Sequence, residues 1–215
     1  MPSDPLILAF DTSAAHCAAA LLRGDDVLAQ RQEAMAKGQA ERLMPLLEEV
    51  LAEGAADWRD LDALAVGVGP GNFTGVRIAV SAARGLALGL GCPAIGVAVF
   101  DARACGLPRP VCVVEEARRG QVYLQGFGAH PVAPVLQDAA TLDLPRDLPL
   151  VGSAADAISA RTGQPVRAAC YPLAAGIARV ARTRLGDAAY TRPAPLYLRG
   201  PDAAPPSDPP PVLLP

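Results

Sequence analysis

Apolar positions along this chain come in short blocks separated by turn residues. Leu6 to Phe10 forms a first block that stops at Asp11-Thr12-Ser13, the length and punctuation of a buried strand. Cys17 to Leu22 reads as a second strand, Gly24-Asp25-Asp26 as a hairpin turn, and Val27 to Gln32 as a returning third, so an opening β-meander is expected. From Gln39 to Glu53 the apolar residues Ala40, Leu43, Met44, Leu47, Val50 and Leu51 fall at helical spacing. Pro45 disturbs that helix, because an interior proline costs about 3 kcal/mol, and favours a later start. Leu61 to Gly67 is again strand-like, Thr74 to Gly89 helical, and Pro93 to Val99 strand-like. Thr74 is placed to cap the second helix, and Gly89 with Gly91 to end it in a left-handed turn.

This order predicts an α/β fold: a mixed sheet with helices packed on it. A second set opens with Val111 to Val114 and Gln121 to Phe127 and continues in short elements to about Tyr197. The chain thus divides into two related halves, residues 1–100 and 101–200, the second degenerate. Seven prolines in residues 201–215 predict a disordered or extended tail.

The second helix is apolar almost all round. Between Val76 and Leu90 only Arg77, Ser81 and Arg84 are polar, and they share one line. Val76, Ala79, Val80, Ala83, Leu86, Ala87 and Leu90 supply the stripe that a helix needs to cover a sheet. Ile78, Ala82, Gly85 and Gly89 fall outside it, where small residues let another helix approach closely. Either a second polypeptide covers that flank, or the second half of this chain does.

Between the fourth strand and this helix lies Gly67-Val68-Gly69-Pro70-Gly71-Asn72-Phe73-Thr74-Gly75-Val76-Arg77, a tight turn that must lie closely against something. A nucleotide P-loop needs a lysine before its Ser or Thr, and the chain's one lysine is Lys37. The dinucleotide fingerprint needs glycines at positions one, three and six, and neither register supplies the third. Arg77 at the helix start opposes the helix dipole, so it reads as an anchor for the loop or as a contact to a nucleotide or a partner's carboxylate.

The formal charge of −3 speaks against a protein that grips nucleic acid unaided, so any RNA contact is expected to be shared with a partner. The five cysteines form no CxxC pair and suit buried thiols in a reducing cytosol. The two histidines, His16 and His130, lie far apart without HxxxH or HExxH spacing, so no metal site is expected and each reads as structural or solvated. No run of about twenty uninterrupted apolar residues and no export leader is visible, which predicts a soluble cytoplasmic protein without a membrane partner. Tyr123 and Tyr197 read as core or edge packing.

Several segments together resemble a known family. Ile7-Leu8-Ala9-Phe10-Asp11-Thr12-Ser13, Gln39 to Leu47, Gly69-Pro70-Gly71-Asn72-Phe73-Thr74-Gly75-Val76-Arg77-Ile78, Ala117-Arg118-Arg119-Gly120-Gln121-Val122-Tyr123 and Pro195-Leu196-Tyr197-Leu198-Arg199 are similar to the TsaB family of bacterial tRNA threonylcarbamoyladenosine biosynthesis proteins. The chain departs from the family's usual residues at Gln39 and Glu116. The resemblance implies an actin, sugar-kinase and Hsp70-like (ribonuclease H-like) fold in two subdomains. It also implies a non-catalytic subunit that supports threonylcarbamoyl transfer by a TsaD-like catalytic paralogue with a TsaE-like ATPase, reaching tRNA only through the complex. ATP and metal are then expected on the partner subunits, with no cofactor on this chain alone. The expected partner interface, also open to a homodimer, is Leu43, Leu47, Val50, Ile78, Ser81, Ala82, Gly85 and Gly89. The glycine loop contributes Gly69, Pro70, Gly71, Phe73, Thr74, Gly75 and Arg77.

In this superfamily, members that transfer phosphate use an Asp on the first strand followed by a glycine-containing hairpin. Asp11 is in place, but Thr12-Ser13-Ala14-Ala15 has no glycine. Asp11 then caps the turn through backbone amides, and Asp11, Thr12, Ser13, Glu116 and Arg118 are expected to line a vestigial cleft. A small-molecule kinase or ATPase of the same fold is the alternative.

Overall fold

Strict alternation builds the first sheet. In β1 (Leu6–Asp11) and β2 (His16–Arg23), Leu6, Leu8, Phe10, Cys17, Ala19 and Leu21 face one core, while Ile7, Ala9, Ala18, Ala20 and Leu22 face another. A sheet buried on both faces needs helices on both, and the chain provides them. The computed structural model describes residues 4–129, 131–186 and 192–199, so His130 and the proline-rich tail from 201 onward lie outside the described residues.

β3 (Asp26–Ala34), β4 (Ala63–Gly67) and β5 (Ala94–Val97) complete a five-stranded sheet in the order β3-β2-β1-β4-β5. β1, β2 and β3 pair antiparallel, and β1, β4 and β5 pair parallel. α1 (Gln39–Glu53) and α2 (Phe73–Leu90) cover one face through Leu43, Leu46, Leu47, Val50, Val76, Ala79, Val80 and Ala83. α5 (Leu173–Arg184) covers the other with Leu173, Ala174, Ile177, Ala178 and Ala181. Across the exposed edge, Arg42 binds Glu33 and Glu49, and Arg31 binds Glu49 and Glu53, tying β3 to α1. These guanidinium hydrogen bonds hold the Glu33, Glu49 and Glu53 carboxyls below their ordinary range, so the tie is made at neutral pH and is lost as the pH falls through the lowered values.

α3 (Val99–Ala104) links to a four-stranded sheet ordered β8-β7-β6-β9, from β6 (Val111–Glu116), β7 (Gln121–Phe127), β8 (Val132–Asp138) and β9 (Leu150–Val151). α4 (Ala155–Thr162) backs its outer face with Ala155 and Ile158. Its inner face, with Val111, Val113 and Tyr123, packs on Phe100 and Ala104 of α3. Leu196 belongs to the clusters of both sheets. The segment that carries it is fastened by Leu196 N–H to the Val68 carbonyl at 2.7 Å and by Arg84 Nε to the Pro193 carbonyl at 2.7 Å.

Several boundaries differ from the sequence reading. α1 does begin at Gln39 with Pro45 inside it, because Pro45 lies on the exposed side, where a carbonyl without its helical donor can turn to water. The cap of α2 is Asn72 rather than Thr74, since Asn72 Oδ1 accepts the N–H groups of Thr74 and Gly75 at 3.0 and 3.2 Å. The left-handed residue that ends α2 is Gly91, and β5 stops at Val97 because Val99 already opens α3.

Burial pushes the Cys17 thiol up to about 11, with the Glu33 charge adding to it, and the Cys112 thiol up to about 12. Both are neutral at pH 8 and enclosed in sheet. Alkylation of the folded chain at that pH, read by mass spectrometry, should label exposed Cys170 first and leave Cys17 and Cys112 untouched until denaturant is added. Early labelling of either buried thiol would contradict the packing described.

Candidate functional site

The end of β1 and the glycine loop form one packed unit. Asp11 is fully buried; its Oδ1 accepts Ser13 N–H at 2.9 Å, Ser13 Oγ–H at 2.8 Å and lies 2.7 Å from His16 Nε2. Its Oδ2 has no hydrogen-bond partner among the described residues and fills the space where a Cβ on Gly67 would stand. Asp11 therefore caps its own turn, as its sequence context suggested, and buried His16 is its structural partner.

The loop then closes over this turn. Thr12 Oγ1 donates to the Gly75 carbonyl at 2.6 Å, and Asn72 N–H donates to the Ser13 carbonyl at 2.6 Å. A Cβ on Gly75 would come within 1.9 Å of the Thr12 carbonyl oxygen, and one on Gly71 within 2.3 Å of that of Ser13. Gly69 takes φ +90° before a cis Pro70, and its carbonyl accepts Val99 N–H at 2.8 Å. Thr12 and Ser13 are buried beneath these residues.

The expected vestigial cleft is thus corrected. Asp11, Thr12 and Ser13 are sealed under the loop, while Glu116 and Arg118 sit exposed at the β6–β7 hairpin, where Glu116 N–H donates to Ser153 Oγ at 2.8 Å. The backbone of Gly71 and Gly75 lies directly on the Ser13 and Thr12 carbonyls of the first-strand turn. Among the described residues no group of three or more His, Cys, Asp or Glu side chains is placed to hold a metal.

Arg77 does not anchor the loop backbone. Its guanidinium stacks on Phe73 at 3.7 Å from the ring centroid, and its Nε donates to the Tyr197 hydroxyl at 2.8 Å. The Phe73 and Tyr197 rings lie 5.1 Å apart. Phe73 and Tyr197 are 48% and 46% exposed, so the reading of Tyr197 as core or edge packing is corrected, whereas Tyr123 is buried. A surface cluster of one arginine and two aromatic rings has the composition of interface hot spots. Sequence reasoning missed it because Phe73 and Tyr197 are 124 positions apart.

From this cluster an apolar strip runs along α2. Only 28% of the helix is buried, so its outer side is open. By length and composition α2 could cross a membrane, yet Val76, Ala79, Val80 and Ala83 are packed on the sheet. Ser81, Gly85 and Gly89 are exposed, Ile78 and Ala82 half-buried, and Leu88 is 81% exposed. Nothing lies within 4 Å of where a Cβ on Gly85 or Gly89 would be. On α1 the expectation fails: Leu43, Leu47 and Val50 are buried in this chain's own core, because an amphipathic helix turns its apolar stripe to the sheet. Met44 and Pro45 are among the outward residues there, and Gln39 Nε2 donates to the Met35 carbonyl at 3.2 Å.

Comparison with known proteins agrees with this geometry. The family model for TsaD, described as tRNA N6-adenosine threonylcarbamoyltransferase, matches residues 28–144. An uncharacterized protein of Mycobacterium tuberculosis is 36% identical over 206 residues, covering 93% of this chain and 94% of the relative. The tRNA threonylcarbamoyladenosine biosynthesis protein TsaB of Escherichia coli is 38% identical over 122 residues, a match that spans about half of each chain (54% and 52%). The solved structure of YeaZ from Pseudomonas aeruginosa superposes with a TM-score of 0.73 at 26% identity, over 90% of this chain and 100% of that one. The fold, two mixed sheets flanked by helices, is that of YeaZ.

Proposed function

The chain belongs to the TsaD-like family, within its TsaB/YeaZ branch, and from that membership we propose that it is a non-catalytic subunit in the synthesis of threonylcarbamoyladenosine on tRNA. A role in that synthesis is what the named relatives support. The subunit acts by pairing the open side of α2 with a TsaD-like catalytic paralogue, while a TsaE-like ATPase completes the system. ATP and metal are then held by the partners.

The observation that carries this reading is the contrast between two regions of one loop. Its inner side is packed closely over the buried Asp11, Thr12 and Ser13. Its outer side opens into the Phe73, Arg77 and Tyr197 cluster and the small-residue strip of Ser81, Gly85 and Gly89. A patch of this kind is a liability unless something covers it. In the absence of the paralogue the same strip pairs with a second copy of the chain. The kinase alternative is weighed by nucleotide turnover of the isolated chain, which this reading expects to be absent.

The test is reconstitution. Threonylcarbamoyl transfer to tRNA by the TsaD-like paralogue with its TsaE-like ATPase is measured with and without the full chain; the expected result is transfer only when the chain is present. Undiminished transfer in its absence would end the proposal.

A further inference from the structure

Two segments singled out in the sequence, Ala117–Tyr123 and Pro195–Arg199, meet at a recess that the proposed pairing does not use. An open recess of about 490 Å³ is lined by Arg119, Gln121, Leu136, Asp138, Leu198 and Arg199. It lies beside the β6–β7 turn, where Gln121 of β7 is paired with Asp138 of β8. Arg118, exposed on the same turn, adds a third guanidinium, and Glu116 is the other acid at the hairpin. Asp138 is partly engaged, since its Oδ1 accepts Ala140 N–H at 2.8 Å.

The backbone here is shaped against the side chain it carries. Arg119 and Gly120 take φ +61° and +70°, and Arg118 carbonyl accepts Gln121 N–H across them. Such a turn favours Asn, Asp or Gly at its first central position. An arginine kept there in a left-handed conformation is an outlier that points to a use for its side chain. Six arginines elsewhere, Arg31, Arg42, Arg103, Arg179, Arg182 and Arg184, each pair with a carboxylate, and Arg199 of the recess is engaged as well. The guanidiniums of Arg118 and Arg119 make no hydrogen bond or ion pair among the described residues.

We infer that this recess binds the phosphodiester backbone of RNA, with Arg119 and Arg199 as the guanidinium forks and Arg118 beside them. Planar guanidiniums match phosphate oxygens in pairs. The lining offers no ring to stack a base and no row of backbone amides to enclose a terminal phosphate, so it suits a passing sugar–phosphate strand better than a free nucleotide. An acidic chain with one local basic corner adds a contact to RNA that a partner mainly holds. This inference rests on the tRNA reading above.

The test uses the complex of the full chain with its TsaD-like paralogue and a labelled tRNA transcript, with affinity followed by fluorescence anisotropy across salt concentrations. Arg119→Asn suits the turn better and should leave the melting temperature unchanged or raised, while weakening RNA binding about fivefold. Arg119→Asn with Arg199→Gln should weaken it at least about tenfold and flatten the log–log salt slope by about 1.5. Arg59→Gln, on the exposed turn Trp58–Asp60, removes the same charge elsewhere and should have no such effect.

Unchanged affinity and slope in the Arg119→Asn complex would overturn the inference, as would an equal loss in Arg59→Gln. Arg119-dependent binding of inorganic phosphate or ATP that tRNA does not displace would overturn it too. If those results came with transfer that still requires the chain, the RNA contact alone would fall. If transfer needed no chain, the functional proposal would fall while the RNA measurement stood.

Discussion

Replacing Gly75 with alanine should destabilise the chain by about 3–5 kcal/mol, a loss at the upper end of what one substitution does. The added carbon would stand 1.9 Å from the Thr12 carbonyl oxygen, which is backbone in the middle of a buried turn and cannot swing aside. Either β1 or the start of α2 must move. Moving α2 withdraws Val76, Ala79 and Val80 from the sheet and breaks the bond from Thr12 Oγ1 to the Gly75 carbonyl. Denaturant unfolding followed by circular dichroism measures the effect. The matched control is Gly85→Ala, the same chemical change ten residues on, where nothing lies within 4 Å; it should stabilise by up to about 1 kcal/mol, as alanine does in a helix. Equal stability of the two variants would show that the loop does not rest on the strand end.

Gly85→Arg should abolish pairing with the TsaD-like paralogue, with affinity falling by at least about a hundredfold, while the lone chain stays folded. A helix packed closely over glycine has no room for a guanidinium stem, and the charge would be left unpaired inside the interface. The isolated chain has open space at the same position, so it has nothing to lose there. Gly85 is a sharper probe than Ala82, which is half-buried against this chain's own core. Co-purification, light scattering and threonylcarbamoyl transfer should fail together. Native pairing by a folded Gly85→Arg chain would move the interface off α2.

The order of elements was legible because alternation and helical spacing are local. β1 to β5 fall where the blocks of apolar residues put them, and Gln121–Phe127 was bounded to the residue. The outward side of α2 was legible as well, because a helix with apolar residues all round has more oily surface than one sheet can cover. The same logic, applied to α1, misled: Leu43, Leu47 and Val50 are apolar because they are core, and helical spacing alone does not say which neighbour a stripe meets. Asn72 was passed over as a cap because Thr74 is also a capping type; the bond from Asn72 N–H to the Ser13 carbonyl, which fixes the frame, joins residues 59 positions apart. The closure of the loop over Thr12 and Ser13 was hidden for the same reason. Glycines at 71 and 75 announced a close approach without naming what they approach. Arg119 was singled out only as part of the Ala117–Tyr123 segment, since Arg-Gly is a poor advertisement for a turn of that hand.

The stretch around Leu196 works as a bolt. Leu196 is partly buried against the cores of both sheets and holds the Val68 carbonyl with its own N–H, and the stretch is gripped from α2 by Arg77 and Arg84. Enzymes of two lobes close on a substrate by swinging about a hinge. With the bolt home, swinging the lobes would tear Leu196 from one core or the other. Any relative movement of the two lobes therefore has to break these fastenings first.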